Sequence, residues 1–404
     1  MKIAFIADGR AEHTKRWIRY FGSTGDTVML LSTYPCEPIE NVQVEMLPGI
    51  FRPGNAFVKS SDTEEQSKQN RSKLARLGAT LAKYGIDGLV RPLWHRLSTV
   101  DVIWQVRAAE KLLQKFNPDI VHALRIPNET FVLGGVTYGP KVASVWGQDF
   151  IYNCRNYAIH RWLTKRTLPK LDAITADCIR DLNLAKEHGC NAKLSRFFPT
   201  NGGVDTSNFI SGSITTQRKP ILVYARGFGP YLRPETLFES VTQLTSQFPD
   251  LELQIIAPES QIEVMHSRMQ HFGIKPANFQ IKPFQSPVEW AQTLREATAY
   301  VSPSISDGTP NGMLEAMACG AIPIMGNIES IREWIEHDKN GQLFAPESVE
   351  ELTSCLRKCL EDDNFRGQAI QANRDIILDR CARETVMPNI RIFYEEVVER
   401  CKNN

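Results

Sequence analysis

Short apolar runs alternate with helix-period segments along all 404 residues, and this alternation limits the chain to few folds. In the first half, KIAFIAD (2–8) leads into a helix over 12–22. TVMLLST, VQVEML, a helical stretch over 63–116 and the apolar run DIVHAL (119–124) follow. A helix near Thr130, KVASVWG (141–147), DAITADC (172–178) and a helix ending at Gly189 complete that half. In the second half, PILVYAR, LELQIIA, NFQIKPF, AYVSPS and AIPIMG alternate with helical segments in the same way. Apolar strands separated by helices predict doubly wound parallel sheets. The length exceeds what one ordinary core holds, so two α/β domains in tandem are expected.

The run Tyr300 to Gly341 is the most informative for function. It reads as a buried strand from Tyr300, a loop rich in Ser, Gly, Pro and Asn, and a helix opened near Asn311. A second strand over 321–325 and a further helix closed at Asn340-Gly341 follow. The loop amides and the helix N-terminus of such a unit make a cradle suited to an anionic ligand. Within it Asp307 and Glu315 are separated by seven residues, and neither reads as core. Their other reading is an Asp-Gly turn and a solvated helix glutamate.

The segment Asp307-Gly308-Thr309-Pro310-Asn311-Gly312-Met313-Leu314-Glu315-Ala316-Met317-Ala318-Cys319-Gly320-Ala321-Ile322-Pro323 resembles the retaining glycosyltransferases of family 4. Their pattern is E-G-x-P-x-x-x-L-E-A-M-A-x-G-x-P. The resemblance implies the GT-B fold, two Rossmann-like domains facing across a cleft that holds the active site. It implies that Glu315 binds the ribose of a sugar nucleotide. Asp307, with the amides around Gly312 to Leu314, would hold the transferred sugar, and Gly308, Thr309, Pro310, Asn311 and Met313 complete the donor loop. Asp307 stands where the family has Glu, one methylene longer, so either the loop approaches more closely or the donor sugar differs.

Arg226-Gly227, at the end of a strand, resembles the family's G-R, with Arg226 neutralising the diphosphate. Arg233 stands two residues beyond the family's Lys as candidate second cation; its other reading is a solvated charge at the helix start before Pro234. Charge builds on the departing oxygen as the glycosidic bond breaks, which is why cations belong there. Asn201-Gly202-Gly203-Val204-Asp205 followed by Phe209 resembles the family linker. The expected organisation is therefore an acceptor domain over 1–200, a hinge over 201–218 and a nucleotide-sugar domain over 219–383. The helix 384–404 is expected to pack back on the first domain.

Acceptor-side candidates lie at strand ends of the first half, where open α/β sheets bind ligands. They are His13, in a stretch resembling H-T-x-R-W, His122, and Trp146 with Asp149 in WGQD, which resembles the family's H-G-x-D with Trp in place of His. A lone histidine also has a structural reading. Gly9 is followed by Arg10 and Ala11 where the family has a double glycine.

The sequence contains no Asp-x-Asp, and its His and Cys residues have no metal-ligand spacing, so no cofactor and no required metal are expected. A net charge of +1 argues against a general nucleic-acid binder. The nine cysteines are odd in number and scattered, which reads as reduced thiols. With a strand beginning at once and no long apolar span, a cytoplasmic protein is expected. Over 66–115 basic residues outnumber acidic ones, interleaved with leucines. That segment reads either as a surface lying on an anionic bilayer at the inner face of the membrane or as ordinary helices with solvated outer faces.

The resemblance thus implies a retaining, metal-independent transferase that moves a sugar from a UDP- or GDP-sugar to a glycan or lipid-linked hydroxyl, in bacterial surface polysaccharide or glycoconjugate synthesis. The alternatives are a nucleotide-sugar epimerase of the same fold and a catalytically silent nucleotide-sugar-binding homologue.

Overall fold

A computed structural model describes residues 1–49, 99–199, 202–210, 218–229 and 231–403. The chain divides into two compact units. One comprises 1–176, 181–197 and 391–404, and the other 177–180 and 198–390. Most of the basic segment 66–115 and much of the hinge 201–218 lie outside the described residues.

The first unit is built on seven parallel strands: β1 (Lys2–Ala7), β2 (Thr27–Ser32), β3 (Val42–Met46), β4 (Ile120–Leu124), β5 (Lys141–Val145), β6 (Ala173–Ala176) and β7 (Leu194–Phe197). They lie in the order β3-β2-β1-β4-β5-β6-β7. The central strands IVHAL and AITA are buried throughout, as expected of a parallel sheet covered on both faces. The edge strands are not, and β3 has no buried residue. β7, one of these polar edges, was not expected from the sequence.

The second unit has six parallel strands: β8 (Ile221–Tyr224), β9 (Glu252–Ile256), β10 (Phe279–Lys282), β11 (Ala299–Ser302), β12 (Ile322–Gly326) and β13 (Gln342–Phe344). Their order is β10-β9-β8-β11-β12-β13. Pro323 is tolerated inside β12. Ile322 donates to Thr298 on the β11 side, so the N–H that Pro323 lacks would face β13, whose pairing starts only at Ile324. Leu222, Leu237, Phe238, Leu253, Val301 and Ile324 form the centre of this unit's core, all fully buried.

One expected element is corrected. The helix expected to close at Asn340-Gly341 is a single turn, Glu329–Arg332. Beyond it the carboxamide of Asn340 accepts from the Glu336 N–H and donates to the Trp334 carbonyl and to Asn373, replacing helical bonds with side-chain ones.

In both sheets the strand order reverses beside the first strand of the unit, between β1 and β4 and between β8 and β11. Ligands of open α/β sheets bind beyond the carboxyl ends of the strands at such reversals. The helix Arg383–Lys402 starts in the second unit, and its residues from Arg391 belong to the first.

Candidate functional site

Arg226 leaves the end of β8, and Asp307 lies in the loop after β11, its neighbour. Their side chains form an ion pair, Nη2 to Oδ2, at 2.6 Å. Both are mostly buried, with side-chain exposures of 23% and 12%. Burial works against the charge of Arg226, but Asp307 and the phenols of Tyr300, Tyr231 and Tyr224 outweigh it and raise its pKa. Burial pushes the Asp307 carboxyl upward, and Arg226 with the Gly308 N–H only partly offsets this.

The loop carrying Asp307 is held at several points. Its carbonyl accepts from Arg180 Nη1 at 2.7 Å and from the Ser330 hydroxyl at 2.8 Å, and its Oδ1 accepts the Gly308 N–H at 3.0 Å. Trp334 donates its indole N–H to the Thr309 hydroxyl at 2.9 Å, and that hydroxyl donates to the Asp177 carbonyl. Gly308 is needed here because a Cβ would fall 2.5 Å from the Asp177 carboxylate.

The helix Asn311–Cys319 follows, with Pro310 at its N-cap in an extended conformation and no side chain capping it. Gly312 lets the first turn sit on Tyr300, since a Cβ there would lie 2.8 Å from the phenol oxygen. Met313 and Leu314 are core residues of the helix. Glu315 is 8% exposed, not the solvated helix glutamate of the other reading, and its Oε2 accepts the Trp290 indole N–H at 2.7 Å. The helix ends on Gly320 at φ 82°, a left-handed C-cap.

Gly227 continues the β8 end: its carbonyl accepts from the Tyr224 hydroxyl at 2.8 Å, and the next N–H, of Phe228, donates to Gln261. The second expected cation is placed differently. Arg233 sits at the start of the helix Pro234–Leu244 and pairs with Glu347 at 3.0 Å. The structure therefore joins Arg226 to Asp307 but ties Arg233 to another carboxylate.

In the first unit the acceptor-side candidates fall into two groups. His122 is fully buried, with Nδ1 2.5 Å from the Tyr394 hydroxyl and Nε2 2.9 Å from the Ser144 hydroxyl. Desolvation lowers its pKa to about 3, so it is a neutral internal link and presents no ring nitrogen to a ligand. Asp149 is likewise fully buried. It accepts from Arg125 Nε at 3.0 Å and from the N–H groups of Ile126 and Trp146, both at 3.1 Å, and so ties the β5 loop to the β4 loop. These two are corrected from candidate ligand contacts to internal struts. Trp146 is 6% exposed and packs edge-on with His13 at 4.9 Å. His13 is half-buried, its pKa lowered to about 4 by desolvation and by Arg125.

The β1–β4 reversal carries further charged groups, of which Glu129 lies outside the strand ends singled out in the sequence. Glu129 is 4% exposed and accepts from the Thr33 hydroxyl at 2.7 Å, and burial pushes its carboxyl up to about 8. Arg125 has φ 120°, a region rarely occupied by residues with a side chain, fixed by its carbonyl accepting both the N–H and the hydroxyl of Thr130. Arg10 makes a two-point contact with Asp8 and lies over the Tyr34 ring at 3.8 Å. The signal available was the run Arg125-Ile126-Pro127-Asn128-Glu129-Thr130 directly after a strand.

Comparison with known proteins adds three findings. Residues 207–376, which include Arg226, Asp307 and Glu315, match the family described as glycosyl transferases group 1. The sucrose-phosphate synthase of Thermosynechococcus elongatus is similar in structure at a TM-score of 0.71 and 13% identity, over 98% of this chain and 99% of that one. HepE of Anabaena with UDP gives 0.67 at 14% identity, over 98% and 100%, and a glycosyltransferase of Rickettsia africae gives 0.67 at 14%, over 98% and 98%. The fold is thus that of the GT-B glycosyltransferases, two parallel-sheet α/β units. No curated protein matches the sequence.

Proposed function

We propose that the chain is a retaining, metal-independent glycosyltransferase that takes a sugar from a nucleoside-diphosphate donor, UDP- or GDP-linked, to a hydroxyl of a glycan or lipid-linked acceptor. The observation that carries this is the Arg226–Asp307 pair at the strand reversal of the second sheet, beside a helix start without a side-chain cap. The match of 207–376 to a glycosyltransferase family supports it, as does the occurrence of UDP-glucose in the structurally similar HepE.

In this reading the diphosphate lies against Arg226 and the amides at the start of Asn311–Cys319, where guanidinium and helix dipole both favour anions. As the anomeric C–O bond breaks, its electron pair passes to the departing phosphate oxygen, and Arg226 stabilises the charge there. The acceptor oxygen attacks from the same face, and its proton goes to that phosphate oxygen. Asp307 keeps lone pairs beyond those used by Arg226 and Gly308 and accepts from the sugar hydroxyls. Glu315, oriented by Trp290, accepts from the ribose. Surface polysaccharide or glycoconjugate synthesis is the setting that a glycan or lipid-linked acceptor suits.

A panel of UDP-, GDP- and ADP-sugars in thermal-shift measurements tests the donor. A true donor at a hundredfold its dissociation constant should stabilise by about 2.7 kcal/mol. Slow release of nucleoside diphosphate without acceptor should accompany it. Binding without release would leave a silent homologue, and no stabilisation by any sugar nucleotide would refute the proposal.

A further inference from the structure

Between Asp149 and Asp172 the chain has no acidic residue but carries Arg155, Arg161, Lys165, Arg166 and Lys170. Within this stretch, in the helix Ala158–Thr167, His160, Thr164 and Thr167 turn inward. Arg161, Trp162, Lys165 and Arg166 are exposed, at the spacings that share one face of a helix. Trp162 is 51% exposed, with the Arg166 guanidinium 4.8 Å from its ring centre. Nothing in the core requires an indole at that position.

A second helix of the same unit repeats the pattern. On Asp101–Phe116, Ile103 is 57% and Trp104 48% exposed, Arg107 lies 5.5 Å from the Trp104 ring centre, and Lys111 and Lys115 are exposed. Its Glu110 is turned to the Thr137 N–H and hydroxyl. Consecutive glycines bring the two helices to one place. On the short helix Phe131–Gly135, a Cβ on Gly134 would fall 2.4 Å from the Thr167 methyl, and one on Gly135 would fall 2.4 Å from a Val106 methyl. The helices therefore flank one element at close range.

We propose that these two helix faces dock the chain on a bilayer containing anionic lipid. The charge is complementary, because the stretch from 150 to 171 is basic without any acid, while the whole chain carries only +1. The tryptophans favour a bilayer over other polyanions. An indole is most stable at the headgroup level, with its ring among the acyl chains and its N–H in the wet layer, and the neighbouring guanidinium reaches the phosphates. The inference stands apart from the proposed transfer reaction, although such docking would bring the enzyme to a lipid-linked acceptor.

The test is co-sedimentation of the full chain with phosphatidylglycerol-containing vesicles and with pure phosphatidylcholine vesicles, without donor or acceptor. Binding is expected on the anionic vesicles and should weaken as salt is raised. Each basic residue at the surface contributes about fivefold to partitioning, so K165E/R166E should lower it by at least about twentyfold. Trp162→Ala should lower it with the salt dependence retained. Both variants alter exposed side chains, so melting temperature and thermal shift with sugar nucleotides should match the wild type. No binding to anionic vesicles, equal binding by wild type and variants, or retention on heparin with none on vesicles would each overturn the proposal. Because no turnover is measured, a failure of the glycosyltransferase reading would leave the result unaffected.

Discussion

Arg226 and Asp307, from the loops after two neighbouring strands of the second sheet, meet in an ion pair at 2.6 Å. Each is held for the other: burial costs both charges free energy, and the contact offsets part of that cost. Removing the cation strands a buried carboxylate and, in the proposed reaction, leaves the departing diphosphate unneutralised. Arg226→Ala should fold with a lower melting temperature and lose on the order of a hundredfold or more in turnover. Arg233→Ala should lose far less, because its guanidinium pairs with Glu347. Steady-state kinetics on the two variants check the order. Turnover of Arg226→Ala within a few-fold of wild type would remove it from the reaction.

Activity should survive EDTA. Leaving-group charge is assigned to a guanidinium and to helix-start amides, and the sequence offers no Asp-x-Asp pair to hold a divalent ion. Initial rates before and after chelation decide it. Complete loss restored by Mn²⁺ would point to a metal site built from other residues.

Glu129 gives a pH signature of the first unit. Its carboxyl is pushed up to about 8 by burial from a usual value of 4.5, so between these pH values the folded chain holds a proton that the unfolded chain has released. Stability should therefore fall as pH rises through that window, by about 1.4 kcal/mol per pH unit. His122 and His13, lowered to about 3 and 4 from 6.5, act with the opposite sign below pH 6.5. There the unfolded chain binds the extra protons, and stability is lost on acidification. The clean interval for Glu129 is thus pH 6.5 to 8. Urea unfolding should show wild type losing about 2 kcal/mol more than Glu129→Gln across it. Parallel curves for the two proteins would mean that Glu129 is ionised when folded.

The buried strands were legible because a parallel sheet covered on both faces leaves apolar runs such as ILVY and AITA that need no alternation. The missed strands, LSRF and QLF, lie at sheet edges, where exposure admits Arg196 and a three-residue length carries no pattern. In the loop and helix after β11, resemblance to the family pattern singled out Asp307 and Glu315. Trp290, which bonds Glu315, Arg180, which bonds the Asp307 carbonyl, and Asp177, which accepts from the neighbouring Thr309, become neighbours only through the fold. His122 and Asp149 mark a different limit. A polar residue at a strand end reads alike whether it faces a ligand or, as here, Tyr394 and Arg125.

In the proposed reaction the two carboxylates Asp307 and Glu315 should separate in kinetics. Glu315 is assigned to the ribose, which does not change during the reaction, so its contribution is equal in ground and transition states. Glu315→Gln should raise KM and leave kcat nearly unchanged, because uniform binding affects only the former. Trp290→Phe, which removes the indole N–H that orients Glu315, should move the same way by a smaller amount. Asp307 is assigned to the sugar, beside the anomeric carbon where positive charge develops, and it also holds Arg226 in place. Asp307→Asn should lower kcat more than it weakens the diphosphate, whose affinity should stay within a few-fold of wild type. Calorimetry with the free nucleoside diphosphate, together with steady-state kinetics, distinguishes the roles. Equal losses of nucleotide affinity in Glu315→Gln and Asp307→Asn would mean that Asp307 serves the loop and Arg226 and makes no contact with the sugar.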